Sequence, residues 1–242
     1  MEQYFAYDYQ GAPFVLFSAP HLAALLFLFL LNVVLLRFKG AAENIRCRVG
    51  IALGIVLWLD EAAWHAWNLY HGHWSIQTML PLHLCSLLIW LSGLMLITRN
   101  YRIYEFVYFL GIGGAFQYLM TPDLGIYGFP HFRYFQAFLS HGLLLTSGIY
   151  MSVVEGLRPT WKSMLRVAVW SNVYMAVMFP LNVLIGSNYL MINGKPATAS
   201  LLDLLPPWPI YIFYMEAIGI LTFLILYLPF ILKDWRAQTD RL

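Results

Sequence analysis

Apolar residues gather in seven stretches along the chain, at 18–37, 47–70, 79–98, 102–121, 132–155, 162–185 and 208–232. Each is about 20 residues long, enough to cross the hydrocarbon core of a bilayer as a helix. The connections between them are short, and the longest, roughly 186–207, is only moderately polar. No stretch is left over for a soluble domain. The pattern therefore predicts an all-α polytopic membrane protein, with seven transmembrane helices in one bundle forming a single domain over 1–242. The first 17 residues carry neither a basic opening nor a small-residue cleavage site, so the first helix is expected to stay in the mature protein.

Composition agrees with the pattern: 61% of residues are hydrophobic, 17% aromatic and only 11% charged, against about 25% charged in a soluble domain. All lysines and arginines except Arg133 and Lys195 fall at the odd-to-even connections or near the C-terminus. The positive-inside rule then places the C-terminus in the cytoplasm and the N-terminus outside, as an odd number of spans requires. The net charge of +2 thus conceals a one-sided distribution that reads as membrane orientation and not as nucleic-acid binding. The expected location is the plasma membrane, the expected partners are membrane lipids, and no motif asks for a cofactor.

Polar residues interrupt the apolar stretches in a restricted zone. In the second, Glu61, His65 and Asn68 follow i, i+4, i+7 spacing and share one helix face. Ionisable groups in hydrocarbon cost several kcal/mol, so they must face the bundle interior and be paired. Counted from the helix ends at ~1.5 Å per residue, Glu61 and His65 lie ~8–14 Å below the outer end of the second helix. On the same count His83 and Cys85 lie ~6–10 Å below the outer end of the third. Gln117, His131 and His141 come to this level from the fourth and fifth segments, and Asn182 and Glu216 from the sixth and seventh. One outward-opening polar cavity accounts for the pattern, leaving Asn32 and Glu105 as exceptions. The loops "MTPDLGIYGFPHF" and "GSNYLMINGKPATASLLDLLPPWP", the second carrying Asn188 and Tyr189, suit a cover over it.

Three chemistries fit such a cavity. A zinc site from His65, His83 and His141 has no local signature, and the one close pair, His71 and His73, sits on an outer turn. A proton or ion path through Glu61, His65 and Glu216 would suit a transporter. A nucleophilic enzyme would use Cys85, with His141, His131 or His65 at suitable depth to take its proton. Cys47 lies at the other end of the bundle, so both cysteines are expected to be free. His83 and Cys85, two residues apart, point about 160° from each other if both are helical. A binding module without catalysis would keep the same cavity.

The segments "LPLHLCS", "GFPHFRYFQAFLSH" and "GSNYLMINGKPATASLLDLLPPWPIY", in that order, resemble the YwaF-type family of small bacterial integral membrane proteins. That family is similar, more remotely, to eukaryotic transmembrane acyltransferases that remodel ether phospholipids. The resemblance implies a lipid acyltransferase or hydrolase in which Cys85 is the nucleophile and His141 the base, with His83 as the other motif residue of the third segment.

Overall fold

The computed structural model describes residues 2–196 and 201–239, and the described residues are helical with no strand. Arg241 and the middle of the long loop, 197–200, lie outside the described residues. The helices are α1 (Ala19–Leu35), α2 (Glu43–Tyr70), α3 (Leu84–Thr98), α4 (Tyr101–Phe106), α5 (Ile112–Met120), α6 (Phe132–Val153), α7 (Trp161–Ile185) and α8 (Ile210–Thr239). A π-helical turn, Val107–Gly111, joins α4 to α5, so the fourth apolar segment is one helix with a bulge. Among the described residues, four segments are long and apolar enough to cross a membrane: Ala19–Gly40, Glu43–Tyr70, Trp161–Ile185 and Ile210–Trp235. The outward faces of α1, α7 and α8 carry large exposed apolar side chains such as Phe29, Val183 and Phe213, the surface a bilayer would cover.

The chain forms two compact units, residues 1–75 with 79–157, and residues 76–78 with 158–242. In the first unit α6 is the central pillar, buried on most of its circumference from Tyr134 to Met151. Gln136, Ser140, His141, Thr146 and Ser147 are all buried; Gln136 and Thr146 bond to neighbouring helices, and Ser140, His141 and Ser147 to carbonyls of α6 itself. Thr146 accepts from the Asn32 amide of α1 at 3.0 Å, while the buried Asn32 Oδ1 has no hydrogen-bond partner, and the Glu105 carboxylate lies 3.6 Å from Arg102.

Small residues set the closest helix contacts. Gly50 and Gly54, one turn apart on α2, would each bring a Cβ close to α3, to 3.2 Å from the Leu96 carbonyl and 3.1 Å from that of Gly93. This is the small-xxx-small device by which membrane helices gain dispersion contact without a hydrophobic drive. Opposite them, a Cβ on Gly93 would lie 2.1 Å from Nε1 of Trp58, the indole that donates to the Trp90 carbonyl at 3.1 Å.

The third helix differs from the expected 79–98. Residues 79–83 form turns, closed by Met79 N–H to the Ser75 carbonyl (2.9 Å) and Leu82 N–H to the Leu80 carbonyl (2.7 Å). Pro81 lies inside this stretch, and α3 begins at Leu84 with His83 at its N-cap. His83 is thus outside the helix, and the 160° argument does not apply to it. Cys85 is the second helical residue, so the depth of ~10 Å read from a start at 79 is corrected: its backbone belongs to the first turn.

The second unit pairs α7 with α8. Thr160 and Ser163 form a capping box that starts α7, and Gly186 ends it in a left-handed conformation (φ 67°) that a Cβ would strain. In the loop after it, Trp208 donates to the Ile192 carbonyl at 2.9 Å and Lys195 to the Leu205 carbonyl at 2.7 Å.

Two outcomes follow from this packing. Gly93→Ala overfills the Trp58 site, and overpacking of this kind costs about 1–3 kcal/mol. Its melting temperature in detergent should fall by several degrees, whereas Gly114→Ala, with nothing within 4 Å of the added Cβ, should leave it unchanged; equal melting would contradict the packing. The second outcome concerns His131, whose Nδ1 accepts from the Arg133 N–H at 3.1 Å and caps α6. Burial holds its imidazole below the ordinary value of 6.5, opposed by its bond to Ala6 and reinforced by Arg133 and His71. A lowered folded-state value means that neutral His131 stabilises fully above the ordinary value and that this contribution is lost as pH falls below it. Melting measured from pH 8 to 5 should therefore fall less steeply in His131→Asn, which retains a capping oxygen, than in the parent. Parallel curves would show that His131 does not carry the effect.

Candidate functional site

Polar side chains from four helices of the first unit meet at the C-terminal part of α2. Glu61 is 3% exposed, its carboxylate 3.7 Å from Nε2 of His65 one turn on, and Ser86 of α3 donates to it. Trp74 donates its indole N–H to Nδ1 of His65 at 3.0 Å. In a neutral ring that leaves the proton on Nε2, directed at Glu61. Asn68, the third residue of the stripe, is buried and donates to the Trp64 carbonyl at 2.9 Å, so it closes on its own helix.

Arg133, at the second position of α6, is the hub of the group. Its guanidinium lies over the Trp64 ring at 4.2 Å and donates to the side-chain oxygen of Gln136. Gln136 in turn donates to Asp60 at 3.1 Å. Arg133 is in electrostatic range of both Asp60 and Glu61, and the buried Tyr118 hydroxyl of α5 lies beside it without a well-aligned bond. The cation thus reaches Asp60 through Gln136 and acts on Glu61 at longer range, with no direct ion pair to either among the described residues. Removing it would leave charge that the surroundings are poorly able to solvate.

Cys85 and His141 border this group. Cys85 is half-buried and in electrostatic range of Glu61 and Tyr118. The Tyr118 ring stacks on the His141 imidazole with centroids 3.5 Å apart and planes 10° from parallel. Nδ1 of His141 faces the Ala137 carbonyl at 3.0 Å. Because a carbonyl only accepts, Nδ1 carries the proton and Nε2 keeps its lone pair. Glu61, Ser86, Cys85, Tyr118, His141 and Arg133 therefore form one connected set, and the first-turn N–H groups of α3, beside Cys85, favour negative charge.

Other expected site residues are placed differently. Gln117 is exposed, because it lies next to Tyr118 and so on another face of α5. His131 is fully buried at the α6 N-cap and faces the Ala6 carbonyl at 3.0 Å, away from Cys85 chemistry. Asn182, Asn188, Tyr189 and Glu216 belong to the second unit. There Asn182 exchanges 2.9 Å bonds with the backbone of Tyr189 and accepts from Ser187, Asn188 donates to the Gly194 carbonyl, and Asn172 donates to Glu216 at 3.0 Å. The three loop residues are used in holding the α7 C-terminus and its loop together. No three His, Cys, Asp or Glu residues among those described are grouped to hold a metal ion.

Sequence reasoning did not pick out Arg133, Gln136, Ser86 or Tyr118 as site residues. A signal for two of them existed: Arg133, Gln136 and Ser140 follow i, i+3, i+7 spacing on α6, yet Arg133 was counted only for topology. Nothing local marks Tyr118 among its aromatic neighbours.

Compared with known proteins, the chain matches no curated protein and no solved structure. It does match a membrane-protein family from the end of the N-terminal segment to near the end of α8, over residues 16–227. With its apolar helices and the polar set above, the chain belongs to the TMEM164 family.

Proposed function

We propose that the protein is a multi-pass enzyme of lipid acyl transfer, with seven membrane-spanning helices, the N-terminus outside and the C-terminus cytoplasmic. Cys85 is its nucleophile and His141 its base. The observation that carries the reading is the position of Cys85: in the first turn of α3, linked through Tyr118 to a histidine whose Nε2 is unprotonated. Helix N-termini and neighbouring proton acceptors are what turn a cysteine into a nucleophile. The resemblance of the motif segments to the YwaF-type family, and more remotely to ether-phospholipid acyltransferases, implies the same pair. The location of the thiol near a helix end suits an ester at the level of the lipid glycerol.

In this reaction the Cys85 proton passes to Nε2 of His141 as sulfur attacks the ester carbonyl. The C–O bond breaks, and the departing lysolipid oxygen takes the proton from the imidazolium. The acyl chain is then held as a thioester. The hydroxyl of a second lysolipid, or of water, attacks it, giving its proton to His141, and the thiolate leaves and is reprotonated. Arg133 and the N–H groups of α3 are the positive groups available to the developing oxyanion. Local pairing of the deep polar residues, Asn32 with Thr146 and Glu105 with Arg102, favours this reading over a continuous transport path.

Two experiments test the reading. Purified protein in nanodiscs, given phospholipid with an isotope-labelled acyl chain, should gain one hydroxylamine-sensitive acyl mass on Cys85. The adduct should vanish in Cys85→Ala and form about 10²–10⁴-fold more slowly in His141→Gln, the range for loss of a general base. Label persisting in Cys85→Ala would remove the mechanism. For the topology, reporter fusions at residues 40 and 73 should report opposite sides of the membrane, and the same side for both would refute seven spans.

A further inference from the structure

The polar set is covered from the outer side by the chain's own N-terminal segment, and the way that segment is held is unusual. Three consecutive backbone carbonyls are received by four side chains of the first unit. Trp67 Nε1 and His71 Nε2 converge on the Phe5 carbonyl at 2.8 and 2.9 Å. His131 Nε2 meets the Ala6 carbonyl at 3.0 Å, and the Tyr127 hydroxyl donates to the Tyr7 carbonyl at 2.9 Å. Rings fill the space between: Tyr7 stacks on His73 at 3.7 Å, and Tyr9 lies 4.7 Å from the His131 ring. No ion pair among the described residues ties this segment down.

Past Gly11 the attachment changes character. The Ala12 and Pro13 carbonyls pack so tightly on Gly128 that a Cβ there would lie 2.3 Å from the first, and Phe14 N–H bonds to the Gly125 carbonyl at 3.1 Å. The chain is therefore fastened at 12–14, and residues 2–10 are a strap hanging from that anchor. Beneath the strap Trp67 is 6% exposed and stacks on Trp64 at 5.4 Å. Trp64 carries Arg133, so two rings, Trp67 and Trp64, separate the strap from the hub.

We propose that Trp67, His71, Tyr127 and His131 form a carbonyl-binding vestibule, and that its occupant in place of the strap is the ester-linked glycerol region of a phospholipid. The inference rests on the lipid reading above and adds an outer subsite for substrate. The hydrogen bonds of the four donors all go to carbonyl oxygens of the strap, while their rings also meet Tyr7 and Tyr9, so an ester that presents adjacent carbonyls satisfies the same hydrogen-bonding set. Left without either occupant, four donors and two aromatic faces would meet water at a hydrophobic boundary, which disfavours an empty site. Because the strap is tethered, it competes at an effective concentration in the millimolar range, which lipid crowded at an interface is able to match. The strap is in this sense a resident competitor.

The test uses no turnover, so its failure is separable from failure of the Cys85 reaction. Protein lacking residues 2–10, in lipid-free detergent, is titrated with dihexanoyl-phosphatidylcholine and with its dihexyl ether analogue, which has no carbonyls, and melting is followed. The diester should raise the melting temperature saturably and the diether should not. Tyr127→Phe should weaken the diester response several-fold, and the intact chain should respond at higher lipid concentration than the strapless one. Should the deletion fail to fold, Tyr7→Gly with Tyr9→Gly loosens the strap by removing its ring contacts and is held to the same outcomes. Equal responses to diester and diether, or no difference between intact and loosened strap, would overturn the proposal.

Discussion

A guanidinium held over a tryptophan and joined through Gln136 to Asp60, in a chain of this hydrophobicity, is the constraint around which the first unit is arranged. Arg133, Gln136 and Asp60 form one hydrogen-bonded relay from α6 to α2. This ties the C-terminal part of α2 to the N-terminal part of α6. Ser86 brings the start of α3 to Glu61, and Tyr118 brings the end of α5 beside Arg133. The position of Cys85 relative to His141 follows from these attachments and not from any bond the thiol makes. Below, the Gly54–Gly93 approach lets α2 and α3 run in close contact, so an error in that packing would be felt at the site.

Much of the fold is legible in the residues because hydrocarbon imposes a simple rule. Each of the seven apolar stretches carries helix, four of them long and apolar enough among the described residues to cross a membrane, and Glu61 and His65 of the polar stripe did pair. What the residues concealed was register at a helix start. Pro81 is compatible with a first helical turn, yet residues 79–83 form turns, and that moved His83 out of the helix and Cys85 to its tip. The change matters chemically, since a thiol in the first turn sits beside unpaired N–H groups, whereas one mid-helix does not.

Tertiary partners were harder to read than types. His131 was expected in the polar cavity with Cys85, and its two nitrogens bond instead to the α6 backbone and to Ala6 of the strap. Asn182 looked like a cavity residue and is the knot of a loop. In both cases the side chain's polarity was correctly judged to need a partner, and the partner was backbone, which no spacing rule announces. Arg133 erred in the opposite direction: near a loop it counted as an orientation signal, while its partners lie on three helices.

The central claim is that Arg133 and the α2 carboxylates stabilise the unit as a coupled set, and a double-mutant cycle tests it most directly. Unfolding in detergent would be measured for Arg133→Gln, Asp60→Asn and the two together. Because Arg133 reaches Asp60 through Gln136, Arg133→Gln should be the most destabilised, and adding Asp60→Asn should return part of the loss, with coupling of roughly 0.5–3 kcal/mol. Strictly additive losses would mean that the two residues stabilise the fold independently and that the hub described above does not exist.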